Sequence, residues 1–166
     1  MFETKDADSD LKIIDFGLSK IIRNANDGNY ADGKARVKNL DRMNTRAGTP
    51  NYISPEVLAG NYGVECDMWS AGCILYILLC GYPPFYGDDD REILEMVAKG
   101  KFDFDGEEWD EISKEAKDLI KKLICKPEKR LTAQEALEHK WFRKVLKGEE
   151  KERKIKFKGA KLDAFK

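Results

Sequence analysis

Residues 63–80 limit what this chain can fold into more than any other stretch, because apolar side chains occupy almost every side of their helical projection. A helix of that composition is stable in water only when most of its surface is buried. Gly81, Pro83 and Pro84 follow directly and end the helix. We therefore predict a central helix around which the rest of the chain packs. Its mainly apolar part, residues 71–80, is roughly half as long as a membrane span, so no span is expected.

Four more segments carry the start and stop residues of helices. These signals are Ser54 and Pro55 with Gly60, residues 88–90 with Gly100, Ser113 with Pro127, and the capping box of Thr132 and Glu135. Residues 11–16, LKIIDF, are predicted to form a short buried strand, and residues 19–44 a long polar loop. The predicted fold is therefore mainly α, with one short β segment near its start.

Charge is distributed unevenly along the 166 residues. The chain has 30 Lys and Arg against 31 Asp and Glu, a net charge of −1, which removes any bulk electrostatic case for nucleic-acid binding. Residues 143–166 alone carry ten basic and four acidic side chains, a charge of +6, whereas residues 1–142 carry −7. We interpret residues 143–166 as a basic tail that is distinct from the domain before it.

The few cysteine and histidine residues exclude several kinds of site. Cys66, Cys73 and Cys80 recur every seven residues, about 10 Å apart on one helix face, beyond the roughly 7 Å that a disulfide spans. Reduced thiols are typical of a cytoplasmic protein, and no secretion signal opens the sequence. His139 is the single histidine, so His-rich metal sites and most His-based triads are excluded. We interpret His139 as a structural or capping residue.

Five motifs occur in an order that identifies a family. They are DFG at 15–17, GTPNYISPEVL at 48–58, CDMWSAG at 66–72, GYPPF at 81–85 and KPEKRLTAQEALEHKWF at 126–142. This series resembles the C-terminal lobe of a protein kinase over about residues 2–142. The amino-acid sequence of residues 62–85 is most similar to that of calcium-dependent protein kinases of plants and protist parasites, within the calcium/calmodulin-dependent group.

The resemblance implies roles for the residues near the chemistry. Asp15 corresponds to the carboxylate that holds Mg²⁺ against the phosphates of ATP, Phe16 to the residue whose packing sets the active state, and Gly17 to the turn after it. Thr49 corresponds to the threonine that supports the catalytic base. A substrate floor, which receives the residue after the target Ser or Thr, is expected at Thr49, Pro50, Asn51, Tyr52 and Ile53.

Three further residues are expected to hold the lobe together. By resemblance, Glu56 pairs with the buried Arg130, and Asp67 holds the backbone of the catalytic loop. Because a lone buried charge is costly, we expect loss of the pair to unfold the chain more than it inactivates it.

The catalytic loop of the family, with its Asp base and Asn, would precede Phe2, and the small lobe with its Gly-rich loop and Lys would precede that. Neither is in this sequence. We therefore expect a fragment of a Ser/Thr kinase that is inactive alone, with Met1 an artificial or alternative start and the missing N-terminal lobe as its natural partner. The central helix would then have an uncovered apolar face that favours dimerisation.

The activation segment, residues 15–56, departs from the family by an insertion at 24–44, which either docks a partner or is a solvated loop. Thr45 is a candidate phosphorylation site beside Lys and Arg residues of the insertion.

Ile77 stands where some kinases have an acidic residue that binds an arginine of the substrate. The acids of residues 103–111 either attract a basic substrate or form a solvated loop.

Calcium binding is expected outside this chain. Asp6, Asp8 and Asp10 resemble an EF-hand opening, but Leu11 and Gly17 stand where that loop needs Gly and Glu. In the resembled family the tail leads into a junction segment regulated by EF-hands. The tail is either a pseudosubstrate or calmodulin-like target, or a frayed terminus. The alternatives to a kinase part are a non-catalytic binding module for substrates or regulators and an unrelated helical scaffold.

Overall fold

A computed structural model describes residues 3–4, 9, 12–17, 19 and 49–146 of the chain. The helices are α1 (Pro55–Leu58), α2 (Glu65–Cys80), α3 (Asp90–Lys99), α4 (Lys114–Leu123), α5 (Ala133–Leu137) and α6 (Lys140–Leu146). Short 3₁₀ turns form at Pro50–Tyr52, Glu107–Trp109 and Pro127–Lys129. The described residues contain no strand, and the mainly α prediction is confirmed.

Helix α2 is the predicted central helix. It ends at Gly81, which adopts a left-handed φ of 91° that glycine tolerates and donates its N–H to the carbonyl of Ile77 at 2.7 Å. Trp69, Cys73 and Tyr76 lie on its buried side. A stripe on the other side stays open to solvent, with Val64 49% exposed, Ile74 45% and Leu78 42%. The expected uncovered apolar face is therefore present in the described part of the chain.

An aromatic cluster fills the space between α2, α3 and the segment 101–112. The Tyr76 ring contacts four others, those of Tyr82, Phe102, Phe104 and Trp109, at centroid distances of 4.6 to 5.9 Å. Its hydroxyl donates to the carbonyl of Asp103 at 3.0 Å. The cluster therefore fixes both the α2–α3 loop and the acidic segment against the central helix.

Helix α4 packs directly on α2 at Gly72. A side-chain carbon at this position would lie 2.8 Å from atoms of both Leu123 and Ile124, closer than packed carbons approach. Beyond α4, a second apolar cluster joins Leu119 and Leu123 to α5 and to Trp141 and Phe142 of α6. Glycine at position 72 thus allows α4, and the helices α5 and α6 that pack on it, to lie close to the central helix.

The helix starts predicted from capping residues are confirmed. Asp89 accepts the N–H of Glu92, Ser113 accepts that of Ala116, and Thr132 forms the full capping box with Glu135. Ser54 occupies the N-cap position of α1 without a side-chain cap hydrogen bond. These starts were predictable because each depends on residues only three positions apart.

The predicted strand at residues 11–16 is wrong for the positions that the structure describes. Residues 12–17 form no strand, and Ile13, Ile14 and Phe16 are 84%, 52% and 70% exposed. A strand needs a hydrogen-bonded neighbour, and the described residues offer none. The apolar pattern of the segment indicates a preference for burial without specifying the surface that would bury it.

His139 has the structural role that was predicted. Its Nδ1 accepts the backbone N–H of Trp141 at 3.3 Å and its Nε2 lies 2.9 Å from the Asp118 carboxylate. The hydrogen bonds from Lys122 and His139 hold the pKa of Asp118 below its usual value. His139 therefore caps α6 and joins it to α4.

Several predictions fall outside the described residues. These are the insertion at 24–44, Thr45, the acids Asp6, Asp8 and Asp10, and the tail beyond residue 146. Of the helices that are described, none is long and apolar enough to cross a membrane.

All four cysteines are described, and all are free thiols, which agrees with the prediction for Cys66, Cys73 and Cys80. Burial raises the pKa of Cys73 from 9.0 to about 12, an effect that the nearby Arg130 partly offsets. Burial, followed by the adjacent Asp67 carboxylate, raises the pKa of Cys66 to about 12. The folded chain thus favours the neutral thiol more strongly than the unfolded chain does.

The chain should therefore lose stability in alkali. Between pH 8 and pH 10 the unfolded state loses the Cys73 proton that the folded state keeps, so this fully buried thiol lowers the free energy of unfolding by about 1.4 kcal/mol over that range. Urea unfolding at pH 8, 9 and 10 measures this, and Cys73→Ala should have a shallower pH slope than the wild-type chain. An equal slope in both proteins would contradict the assignment.

Candidate functional site

The predicted substrate floor is a single 3₁₀ turn, Pro50–Tyr52, that packs against both α2 and α3. The N–H of Tyr52 donates to the carbonyl of Thr49 at 3.0 Å, and that of Ile53 to Pro50 at 3.4 Å. Thr49 is exposed, whereas the partly buried Tyr52 side chain packs against the apolar core. Its burial raises the pKa of the Tyr52 phenol above the ordinary value.

Two side chains connect this turn to the body of the lobe. The hydroxyl of Ser70, on α2, donates to the carbonyl of Tyr52 at 2.8 Å. The amide of Asn51 donates to the carbonyl of Phe85 at 3.3 Å. Sequence reasoning placed Asn51 in the floor but missed Ser70, whose only signal was a hydroxyl within a mainly apolar helix.

Glu56 follows the floor on α1 and forms an ion pair with Arg130. One guanidinium nitrogen of Arg130 bonds one carboxylate oxygen of Glu56, and the other nitrogen bonds the second oxygen at 3.2 Å. The side chains are 0% and 9% exposed for Arg130 and Glu56. The pair is thus bidentate and almost fully removed from water, the arrangement in which planar guanidinium and carboxylate groups bind most strongly.

The remaining donors of Arg130 are also paired. Nη1 donates to the carbonyl of Glu65 at 2.7 Å, while Nε and Nη2 donate to the carbonyl of Cys125 at 3.1 and 2.7 Å. The guanidinium carbon lies 5.2 Å from the ring centroid of Trp69. Every one of the five N–H groups therefore has an acceptor, which offsets the cost of burying the charge. The carbonyl acceptors and the Trp69 contact were not predicted.

Asp67 lies in the first turn of α2, two residues after the carbonyl that Arg130 bonds. Its side chain is exposed and accepts a weak hydrogen bond from the Cys66 thiol, with sulfur and oxygen 3.7 Å apart. This position leaves the carboxylate accessible to a backbone segment outside the described residues, and its expected role remains a prediction.

Asp15 and Gly17 form a tight turn. Asp15 has a left-handed φ of 62°, and its Oδ1 accepts the N–H of Gly17 at 3.1 Å. Phe16, the neighbour whose packing was expected to set an active state, is exposed. The motif therefore has a defined local shape, but its phenyl ring occupies no pocket.

The fit of Asp15 to magnesium is limited to one ligand. Mg²⁺ takes oxygen ligands, commonly one or two carboxylates with phosphates and water, so an Asp carboxylate has the fitting chemistry. Within residues 3–19 and 49–146, as far as they are described, no three His, Cys, Asp or Glu side chains form a metal-binding group. Asp15 is thus a candidate ligand, and a magnesium site here would take its other ligands from outside the described residues, from the nucleotide phosphates or from water.

Comparison with known proteins agrees with the motif order. The protein kinase domain model matches residues 1–142. The chain is 52% identical over 145 residues to calcium-dependent protein kinase 3 of Plasmodium berghei, covering 87% of this chain. It is 46% identical over 140 residues, 80% of this chain, to the probable serine/threonine-protein kinase fhkE of Dictyostelium discoideum. It is 45% identical over 144 residues, 86% of this chain, to calcium/calmodulin-dependent protein kinase type 1 of Macrobrachium nipponense.

These relatives are much longer than the part that is matched. The chain covers 24% of the Plasmodium protein, 17% of the Dictyostelium protein and 37% of the Macrobrachium protein. What the similarity describes is therefore one portion of each relative.

The buried ion pair makes a strong prediction about stability. Glu56→Ala leaves the Arg130 charge buried without its carboxylate, so the free energy of unfolding should fall by about 3–5 kcal/mol. Urea unfolding followed by tryptophan fluorescence measures this. Glu115→Ala is the matched control, because its partner Lys144 is 43% exposed and surface pairs contribute little. Similar losses in both variants would contradict a special role for the Glu56–Arg130 pair.

Proposed function

Because this chain belongs to the protein kinase family, we propose that it is the peptide-binding and structural part of the large lobe of a serine/threonine kinase. The complete protein transfers the γ-phosphoryl group of Mg-ATP to Ser or Thr side chains of proteins. The observation that carries this proposal is the floor turn at Pro50–Tyr52, joined through α1 to the buried Glu56–Arg130 pair, within the matched residues. The domain extends over residues 1–142, and the basic tail over residues 143–166 follows it.

Different residues of this chain have different roles in phosphoryl transfer. Thr49 supports the catalytic base, and residues 50–53 receive the substrate residue after the target Ser or Thr. Asp15 is one ligand for Mg²⁺, which neutralises charge on the phosphate oxygens when bound. Phe16 and Gly17 orient that carboxylate. Asp67 binds the backbone of the catalytic loop, and Thr45 is a site of activating phosphorylation.

Calcium regulation is the second part of the proposal. Two of the named relatives are a calcium-dependent and a calcium/calmodulin-dependent kinase. Calcium acts on EF-hands of a regulatory segment outside these residues, and the basic tail connects that segment to the lobe. Free thiols at all four cysteines suit a reducing compartment, so the protein acts in the cytoplasm.

The chain alone should be inactive. Positioning of nucleotide and nucleophile supplies much of the rate of phosphoryl transfer, and on the nucleotide side the described residues offer Asp15 with its neighbours Phe16 and Gly17. Purified chain with Mg-ATP and a general protein substrate should therefore transfer no phosphate. Turnover by the chain alone would contradict this prediction and favour a different arrangement of the site.

A chimeric kinase tests the function itself. In it, this chain replaces the 145 matched residues of the Plasmodium calcium-dependent kinase, which then supplies the remaining parts. We expect calcium-stimulated phosphorylation of a peptide substrate. Asp15→Asn should lower kcat by roughly 100-fold or more, as loss of a metal ligand does. Asp90→Asn, at an exposed acid in the first turn of α3, is the matched control and should leave kcat unchanged. A folded but inactive chimera would overturn the proposed function.

The uncovered face of α2 should make the isolated chain self-associate. Val64, Ile74 and Leu78 form an apolar stripe that the helix preceding this chain in the family would cover. Light scattering should show a concentration-dependent dimer, which Leu78→Glu abolishes. Leu137→Glu, at a single exposed leucine of α5, is the control and should leave the dimer intact. A monomer at all concentrations would contradict the prediction.

A further inference from the structure

The floor cannot hold its own shape. It is one 3₁₀ turn with two internal backbone hydrogen bonds, at 3.0 and 3.4 Å, and 3₁₀ geometry is too weak for so short a turn to be stable alone. Its orientation must therefore come from contacts with the rest of the lobe.

Ser70 holds one side of the floor. Its hydroxyl has a single proton, and it lies 2.8 Å from the carbonyl of Tyr52 but 3.3 Å from that of Cys66, so the bond to Tyr52 is the stronger one. Fixing a carbonyl oxygen also fixes the planar peptide group to which it belongs. Ser70 thereby sets the direction of the N–H of Ile53, the last residue of the floor.

Asn51 holds the other side. Its amide reaches the carbonyl of Phe85, a residue that is 0% exposed. The Phe85 ring stacks on that of Trp69 with a centroid distance of 5.5 Å and an angle of 3° between the planes. Because Trp69 directly precedes Ser70 on α2, both hydrogen bonds end on the same rigid part of the lobe.

We propose that Ser70 and Asn51 are positioning residues for the protein substrate, holding the backbone of residues 50–53 in the orientation that receives the peptide after the target Ser or Thr. This inference rests on the proposed function and extends it to two side chains outside the chemistry itself. Ser70 lies outside the floor and the Asn51 amide bonds the Phe85 carbonyl, so both side chains act on the peptide through the floor backbone. The Tyr52 side chain also packs against the apolar core, so loss of either bond should loosen the floor backbone without unfolding the turn.

The effect should separate peptide binding from nucleotide binding. In the chimeric kinase, Ser70→Ala and Asn51→Ala should each raise the KM for a peptide substrate roughly three- to tenfold, the range expected for one hydrogen bond. The KM for ATP should not change. Ser70→Thr, which keeps a hydroxyl, should restore most of the peptide KM. Ser113→Ala is the matched control, since it removes a hydroxyl that caps α4 and should leave both KM values unchanged.

Hydrogen exchange on the chain itself gives a second, independent readout. Amides of residues 51–53 should exchange faster in Ser70→Ala and Asn51→Ala than in the wild-type chain, and at the wild-type rate in Ser113→Ala. Unchanged exchange in both floor variants would overturn the inference. Faster exchange with an unchanged peptide KM would also overturn it, because the contacts would then be merely structural. If the wild-type chimera were inactive, the proposed function would fail, and exchange alone would decide whether these side chains hold the floor.

Discussion

The buried guanidinium of Arg130 is the constraint on which the rest of the lobe depends. A charge removed from water is stable only if all its donors are paired, and here the acceptors come from α1, the start of α2 and the loop after α4. Glu56 and Arg130 are 74 residues apart in the chain. Pairing five N–H groups therefore forces three separate segments to converge at one point, and the floor, which immediately precedes α1, is positioned by that convergence.

Trp69 links this pair to the peptide side of the lobe. Its ring lies beneath Arg130 and also stacks on Phe85, whose carbonyl accepts the Asn51 amide. Ser70, the residue after Trp69, donates a hydrogen bond to the carbonyl of Tyr52 in the floor. One turn of α2 thus connects the residue pair that stabilises the lobe with the turn that we propose receives substrate. The opposite side of α2, with Ile74 and Leu78, takes no part in these contacts.

Features that depend on nearby residues could be predicted from local chemistry. The Glu56–Arg130 pair, which joins distant residues, was predicted only through the resemblance to protein kinases, and neither the partner of residues 11–16 nor the bond of Ser70 was predicted. The caps at Ser113 and Thr132 and the stop at Gly81 follow from chemistry within a few positions. The strand at 11–16 was wrong because pairing needs a partner that hydrophobic pattern does not name. Ser70 was missed because a serine on a helix most often bonds its own backbone or water, and its bond to Tyr52 appears only in three dimensions.

The proposed peptide-binding turn and the proposed magnesium ligand Asp15 differ in the contacts that hold them in place. The floor is built from contacts within residues 49–146: a stacked ring pair, two side-chain hydrogen bonds and a buried ion pair. Asp15, by contrast, sits in a turn whose hydrogen bond connects residues two positions apart, beside an exposed Phe16. A phenyl ring in water carries an apolar surface that any pocket of matching shape would bury favourably. The peptide side can therefore form within this chain, whereas the nucleotide side requires a surface that seats Phe16 before Asp15 is fixed in space.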